Sequence, residues 1–229
     1  MEPAPGGDPQ LANRGGSDRC DDEQVQTLET ERLRLRAWTH SAADVEFVFD
    51  TYSRWEVHRF IGRVPRVMED RSEAEATIAR WKSLDDSVHG IWAVERRGDG
   101  QLLGTLLLKP IPASSDQVPL PLSGDTEIGW HFHPDAWGKG YATEAAARVL
   151  AHAFTAGLSE VVAVTNEANA ASQGVAQRIG LVHQGQTTRY YNATCELFTA
   201  TTTRAGLGTA DRCTAEQPQR PTPAAPLHA

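Results

Sequence analysis

Cysteine is scarce in this chain, with three in 229 residues, at Cys20, Cys195 and Cys213, and neither a CxxC pair nor a Cys/His ladder. That pattern excludes a disulfide-stapled secreted fold and a structural zinc site, and it suits a reducing compartment. Long apolar runs are missing too. No stretch of 18 or more apolar residues occurs, so no membrane-spanning helix is expected. The opening MEPAPGGDPQLANRGGSDRCDDEQ has no apolar core and carries acidic residues early, unlike a signal peptide. A cytoplasmic location is the expectation, in which the sequon Asn192-Ala193-Thr194 stays unmodified. Positive charge is also in short supply, with 22 Lys and Arg against 30 Asp and Glu and a net charge of −8. A nucleic-acid partner needs clustered basic residues, so none is expected; a cationic acceptor such as an amine is mildly favoured.

What is present is one domain's worth of patterned sequence between two unpatterned ends. Residues 1–26 and 204–229, rich in Gly, Pro and acidic residues or ending AEQPQRPTPAAPLHA, offer no repeating apolar face and read as disordered tails. The remainder, 27–203, is about 175 residues, within the usual range for one domain with a sizeable core.

The most informative stretch is Thr126–Phe154, TEIGWHFHPDAWGKGYATEAAARVLAHAF. Ile128–Phe132 mixes β-branched and aromatic residues and stops at Pro134, as a strand does. From Tyr141 onward Ala146, Val149, Leu150, Ala153 and Phe154 recur at helical spacing, with Glu144 in the first turn and Gly157 as terminator. Gly138 and Gly140 sit at the join. Glycines there let a backbone approach a ligand, and the free N–H groups of a helix start suit a phosphate. A Walker A loop fails, because Gly138-Lys139 has His133 five residues upstream and no Ser or Thr directly after the Lys; a dinucleotide fingerprint fails, because Thr143 stands where its third glycine belongs.

The rest of the chain fills in a layered fold. Leu33 and Leu35 alternate with arginines in a strand; Ser41 to Tyr52 reads as a helix capped by Ser41, and Asp70 to Leu84 as another. Ile91–Arg96 and Leu102–Leu108 flank Gly98-Asp99-Gly100 as a hairpin. Ile111 to Gly124 reads as a loop, with the next strand beginning at Thr126. Val161–Val164 is a strand covered on both faces, followed by a helix capped by Asn169, with Ser172, Val175, Ala176 and Ile179 on one side and Gly180 at its end. His183–Tyr190 and Glu196–Thr202 supply two last strands. The fold class predicted is α+β, a mixed, mainly antiparallel sheet with helices on both faces.

Trp137-Gly138-Lys139-Gly140-Tyr141-Ala142-Thr143-Glu144-Ala145 resembles the coenzyme A loop of the GNAT acyltransferases, in the variant of the branch that includes the ribosomal-protein N-terminal acetyltransferases. Leu28–Arg36 resembles that family's first strand, Asn166-x-x-Asn169-x-x-Ser172 with Ile179-Gly180-Leu181 its last helix, and Tyr190-Tyr191 with Glu196–Thr199 its closing strands. The resemblance covers roughly 28–203. It implies an N-acetyltransferase that moves an acetyl group from acetyl-CoA to a primary amine, on a small molecule or a protein N-terminus, by direct attack and without a metal, as a monomer or homodimer. It further implies cofactor contacts from Trp130, His131 and Phe132, from Gly138, Lys139, Gly140, Tyr141, Ala142 and Thr143, and from Asn169 and Ser172.

Chemistry then needs a base, because an aliphatic ammonium with a pKa near 10.4 must lose a proton before it attacks. Glu127, at the start of the strand beside the thioester, stands where the resemblance implies a carboxylate and is the candidate, with a solvated or salt-bridged strand residue as the plain alternative. By the same resemblance Ser172 matches a proton donor to the departing thiolate, and Tyr190 and Tyr191 lie where other members place a donor tyrosine, with Tyr190 taken as the candidate. Asn169 serves equally as a helix cap or a cofactor contact. His131 and His133 share a strand face with Glu127, but no third ligand stands at fixed spacing, so a polar pocket lining or proton relay is preferred to a metal site. The acceptor pocket is expected between Ser41–Ile61 and the last hairpin, with Trp38, Trp55 and Phe60 as candidate aromatic walls. A second reading is a GNAT-like module that binds acyl-CoA as a sensor without chemistry.

Overall fold

The computed structural model describes residues 25–202. Residues 1–24 and 203–229, with Cys20 and Cys213, lie outside the described residues, and of the N-terminal tail expected over 1–26 the last two residues belong to the fold: Val25 is buried in the core and the Gln26 carbonyl accepts from Trp92 Nε1 at 2.8 Å. Eight strands form one sheet: β1 (Leu28–Glu29), β2 (Leu33–Ala37), β3 (Gly90–Arg96), β4 (Leu102–Pro112), β5 (Leu122–Phe132), β6 (Glu160–Thr165), β7 (Val182–Thr187) and β8 (Cys195–Thr201). Their order is β1-β2-β3-β4-β5-β6-β8-β7. Every pairing is antiparallel except β5 with β6.

Alternation along the strands builds two cores. One face of β2 to β5 presents Leu33, Leu35, Trp92, Val94, Leu106, Leu108 and Ile128 to helix α4 (Tyr141–Thr155) and helix α5 (Ala170–Arg178). The opposite face presents Ile91, Ala93 and Leu107 to helix α1 (Ala42–Tyr52) and helix α3 (Arg71–Lys82). Helices therefore cover both faces, as predicted. The helix starts are also where local chemistry puts them: Ser41 accepts from the Asp44 N–H, Asp70 from the Ser72 N–H and Asn169 from the Ser172 N–H.

Four segments differ from the sequence expectation. The strand expected over Leu28–Arg36 is a short hairpin, turned where Thr30 Oγ1 accepts from the Leu33 N–H at 2.9 Å. The loop expected over Ile111–Gly124 is shorter, since β4 runs to Pro112 and β5 begins at Leu122. Pro110 and Pro112 are tolerated because β3 stops pairing at Leu108, so beyond it β4 has a strand on one side only and a missing N–H costs nothing there. Strand β7 ends at Thr187, and Tyr190 lies in the following turn, joined to Ala113 by a single bridge. A further one-turn helix, α2 (Trp55–His58), follows α1; its four residues are too short for a periodic signal.

The pairing of β5 with β6 decides where a ligand can go. The two strands meet at one position, Glu127 opposite Val162, and then part. Past that vertex β5 keeps β4 on one side, with Gly129, Trp130 and His131 paired to Leu107, Leu106 and Thr105, while its other edge has no strand among the described residues. An open edge of this kind accepts an extended ligand as an added strand.

Candidate active site

The gap between β5 and β6 is a cleft of about 830 Å³, within the usual size of a cofactor site. One wall is β5 from Glu127 to Phe132, the floor is the turn into α4, and the far wall is β6 from Ala163 to Thr165 with Asn166, Asn169, Ser172, Val175 and Arg178. At the mouth stand Glu56, Val57, Arg59, Phe60 and Ile61, from α2 and the residues after it.

The turn into α4 has the geometry that its glycines suggest. Gly138 and Gly140 adopt φ of 71° and 78°, the left-handed region that a side chain makes costly. Gly140 stands as N-cap with no side chain to satisfy the first N–H groups, so they remain available to an anion. Glu144, in the first turn, is not free: it accepts from Thr30 Oγ1 at 2.5 Å, from the Arg32 N–H at 3.0 Å and from Arg32 Nε at 2.6 Å. Burial by itself would lift its carboxyl, but these donors hold it below the ordinary glutamate value. The hairpin of β1 and β2 is thereby tied to the start of α4, which steadies the loop.

Most of the residues singled out in the sequence meet in this cleft. Trp130, His131, Phe132, Gly138, Gly140, Tyr141, Ala142, Thr143, Asn169 and Ser172 all border it, as does Glu127. Two stand elsewhere. Lys139 does not border the cleft, and its ammonium turns back to donate to the Asp135 carbonyl at 2.8 Å. Tyr190 is buried at 1% exposure beside Ile111, Val162 and Leu197, and its hydroxyl donates to Asp125 Oδ2 at 2.7 Å. Burial and that carboxylate push the Tyr190 phenol up to about 12. Of the candidate pocket aromatics only Phe60 reaches the mouth; Trp38 is core between α1 and α3, and Trp55 faces outward.

At the vertex the structure assembles a cluster that the sequence did not bring together. Lys109 on β4 is the cross-strand neighbour of Glu127, and its Nζ lies 3.0 Å from Glu127 Oε2. The Tyr191 hydroxyl donates to the same oxygen and accepts from Lys109 Nζ at 2.6 Å. Opposite charges at paired strand positions are a signal only once register is known.

His131 and His133 both tie β5 and the residue after it to helix α1. His133 Nε2 meets Asp50 Oδ2 at 3.1 Å, and His131 Nδ1 meets the Tyr52 hydroxyl at 2.9 Å, both on α1. Among the described residues no group of His, Cys, Asp or Glu could hold a metal ion. Assigning the Tyr52 hydroxyl hydrogen to Thr105 Oγ1 puts the His131 proton on Nδ1 and leaves Nε2 as an acceptor. Burial, and then the charges of His58 and Lys109, lower His131 to about 4, so it is neutral near pH 7. The unfolded chain binds this proton near the ordinary value of about 6.5, so the stability tied to neutral His131 is complete above that value and is lost as pH falls toward 4. Denaturant midpoints between pH 7 and 4 should therefore fall less steeply in His131→Asn than in the natural chain.

With this geometry in view, comparison with known proteins decides the family. A model described as the acetyltransferase (GNAT) domain matches residues 32–182. The chain belongs to the GNAT acetyltransferase family. It is 32% identical over 165 residues to the uncharacterized N-acetyltransferase YoaA of Bacillus subtilis, covering 71% of this chain and 86% of that one. It is 37% identical over 160 residues to the FsC-acetyl coenzyme A-N(2)-transacetylase of Aspergillus fumigatus, covering 69% of this chain and 65% of that protein. Among solved structures, RimL, a ribosomal L7/L12 alpha-N-protein acetyltransferase in complex with coenzyme A, superposes with a TM-score of 0.61 at 14% identity, over 77% of this chain and 98% of that one. The GNAT-like α+β fold expected from the sequence holds. The chain is an acyltransferase.

Proposed function

We propose that this GNAT enzyme transfers the acetyl group of acetyl-CoA to a primary amine, with the donor threaded between β5 and β6. The observation that carries the reading is the open edge of β5, which runs from Glu127 at the vertex to the glycine turn at the start of α4. The pyrophosphate would rest on the N–H groups of Gly138, Lys139, Gly140, Ala142 and Thr143; the Lys139 backbone can serve there although its side chain turns away. The pantetheine would pair along Trp130–Phe132 as an added strand, facing Asn169 and Ser172. The thioester then lies near the vertex.

The amine nitrogen attacks the thioester carbonyl carbon, a C–N bond forms, and the C–S bond breaks to release coenzyme A thiolate. Glu127 takes the proton that the ammonium must lose, directly or through a water. The thiolate, with a pKa near 8.5, is a fair leaving group and needs only a weak donor. Ser172 borders the cleft and fits that task better than Tyr190, whose hydroxyl is committed to Asp125. The acceptor enters past Glu56 and Phe60. The names of the relatives point to different acceptors, the N(2) of FsC in one and the α-amine of ribosomal L7/L12 in the other, so both small amines and protein N-termini belong in the test.

The test is thiol release. The chain is incubated with acetyl-CoA and a panel of small amines and N-terminal peptides, and free coenzyme A is followed with a thiol reagent. Release that depends on one acceptor class is the expected result and names the substrate. No release with any acceptor, while acetyl-CoA still raises the melting temperature, would overturn the reading in favour of a binding module.

A further inference from the structure

The turn between β7 and β8 carries an oddity that acetyl transfer as described does not use. Among the described residues Tyr191 and Asn192 are the two non-glycine positions with positive φ, at 59° and 52°. Asn tolerates that region and Tyr does not, so the conformation persists only where its surroundings impose it. The surroundings are a clamp from the loop after β4. The Asn192 N–H donates to Ser114 Oγ at 3.0 Å, Asn192 Oδ1 accepts from the Ser115 N–H at 2.8 Å, and Asn192 Nδ2 donates to the Ser115 carbonyl at 2.9 Å. Ser114 adds two more bonds, from its N–H to the Arg189 carbonyl at 2.7 Å and from its hydroxyl to the Thr188 carbonyl at 2.6 Å.

The clamp delivers one side chain to one place. Tyr191, turned inward, donates its hydroxyl hydrogen to Glu127 Oε2 and takes a hydrogen from Lys109 Nζ. Both protein contacts fall on Oε2, and no hydrogen bond among the described residues falls on Oε1. Tyr191 itself does not border the cleft, whereas Glu127 does.

We propose that Tyr191, held left-handed by the Asn192 clamp and backed by Lys109, is a positioning residue that locks the Glu127 carboxylate by one oxygen and leaves the other to receive the proton of the incoming amine. The inference rests on the reading of Glu127 as the base. A glutamate has three side-chain torsions, and an anchored carboxylate need not be ordered at the moment of proton transfer. Burial and the neighbouring Glu127 charge hold the Tyr191 phenol well above its ordinary value, so it stays a donor throughout. A role for Tyr191 as proton donor to the thiolate fits less well, because its hydrogen is already given to Glu127.

The two roles separate in a double-mutant cycle on the full chain, assayed by thiol release with acetyl-CoA and the best acceptor of the panel. Tyr191→Phe is expected to lower kcat roughly tenfold, with the KM for acetyl-CoA and the melting temperature unchanged. In a Glu127→Gln background the same change should have no further effect. Asn192→Gly keeps the left-handed turn, removes the two side-chain bonds of the clamp to Ser115, and should give a smaller loss of kcat; it also serves if Tyr191→Phe folds poorly. Natural kcat in Tyr191→Phe, or a loss that multiplies in the double variant, overturns the inference while leaving Glu127 as the base. Natural kcat/KM in Glu127→Gln overturns the base and this inference together, so the two failures are told apart.

Discussion

Glu127→Gln is expected to lower kcat/KM by roughly 100- to 1,000-fold, with acetyl-CoA still raising the melting temperature. The amide keeps the shape of the side chain and can still accept from Tyr191, so the strand and the cofactor cleft should persist. What it cannot do is take a proton from an ammonium whose pKa lies near 10.4. Steady-state thiol release gives the rate and a thermal shift with acetyl-CoA gives the binding. Should the rate stay within twofold of the natural chain, Glu127 is the structural partner of Lys109 at 3.0 Å and nothing more. A loss of the thermal shift along with the rate would mean that the cleft had collapsed and that the carboxylate is needed for binding.

The largest effect on stability is expected far from the cleft, at Asp44 on α1. Its side chain is 1% exposed and grips Arg36 through two bonds, at 2.9 Å and 2.7 Å, while also accepting from the Thr39 N–H and Thr39 hydroxyl at 2.8 Å each. Asp44→Ala strands these donors in a buried place. Removing one partner of a buried pair costs about 3–5 kcal/mol, and because Glu95 still neutralises Arg36 at 2.6 Å the lower end, about 3 kcal/mol, applies. For a domain of this size that is a drop in Tm of about 6–12 °C. The pH dependence carries a matching sign. Burial alone would raise the Asp44 carboxyl, but Arg36 and Thr39 hold it below the ordinary aspartate value. Its contribution is therefore full above that ordinary value and is lost as pH falls through the lower folded one, so the natural chain should lose stability below about pH 4 more steeply than the alanine variant. Equal slopes would show that the pair adds nothing to folding.

Local chemistry made much of this molecule legible before any coordinates. Ser41 and Asn169, the two caps expected, each accept a hydrogen bond at a helix start, because a cap needs only a short polar side chain and the three residues after it. Gly138 and Gly140 announced the turn into α4 because positive φ selects glycine. The same rule hid the next turn. Tyr191 and Asn192 adopt positive φ without a glycine, under a clamp built from Ser114 and Ser115, more than 70 residues away in sequence. The sequence put both adjacent tyrosines near the site by resemblance and could not say which way either one points. The structure turns Tyr190 toward Asp125 and Tyr191 toward Glu127.

Spacing, periodicity and caps determined by themselves the glycine turn and the helices that follow it, since each depends on residues within one or two turns of chain, and the family resemblance of that stretch singled out the carboxylate at Glu127. Only the tertiary structure decided what that carboxylate touches. Lys109 stands beside it through the β4–β5 register, Tyr191 reaches it through a turn clamped from another loop, and the cleft opens because β5 and β6 meet at a single position and then part. Those three features come from pairing between distant segments, and pairing leaves no period in a sequence.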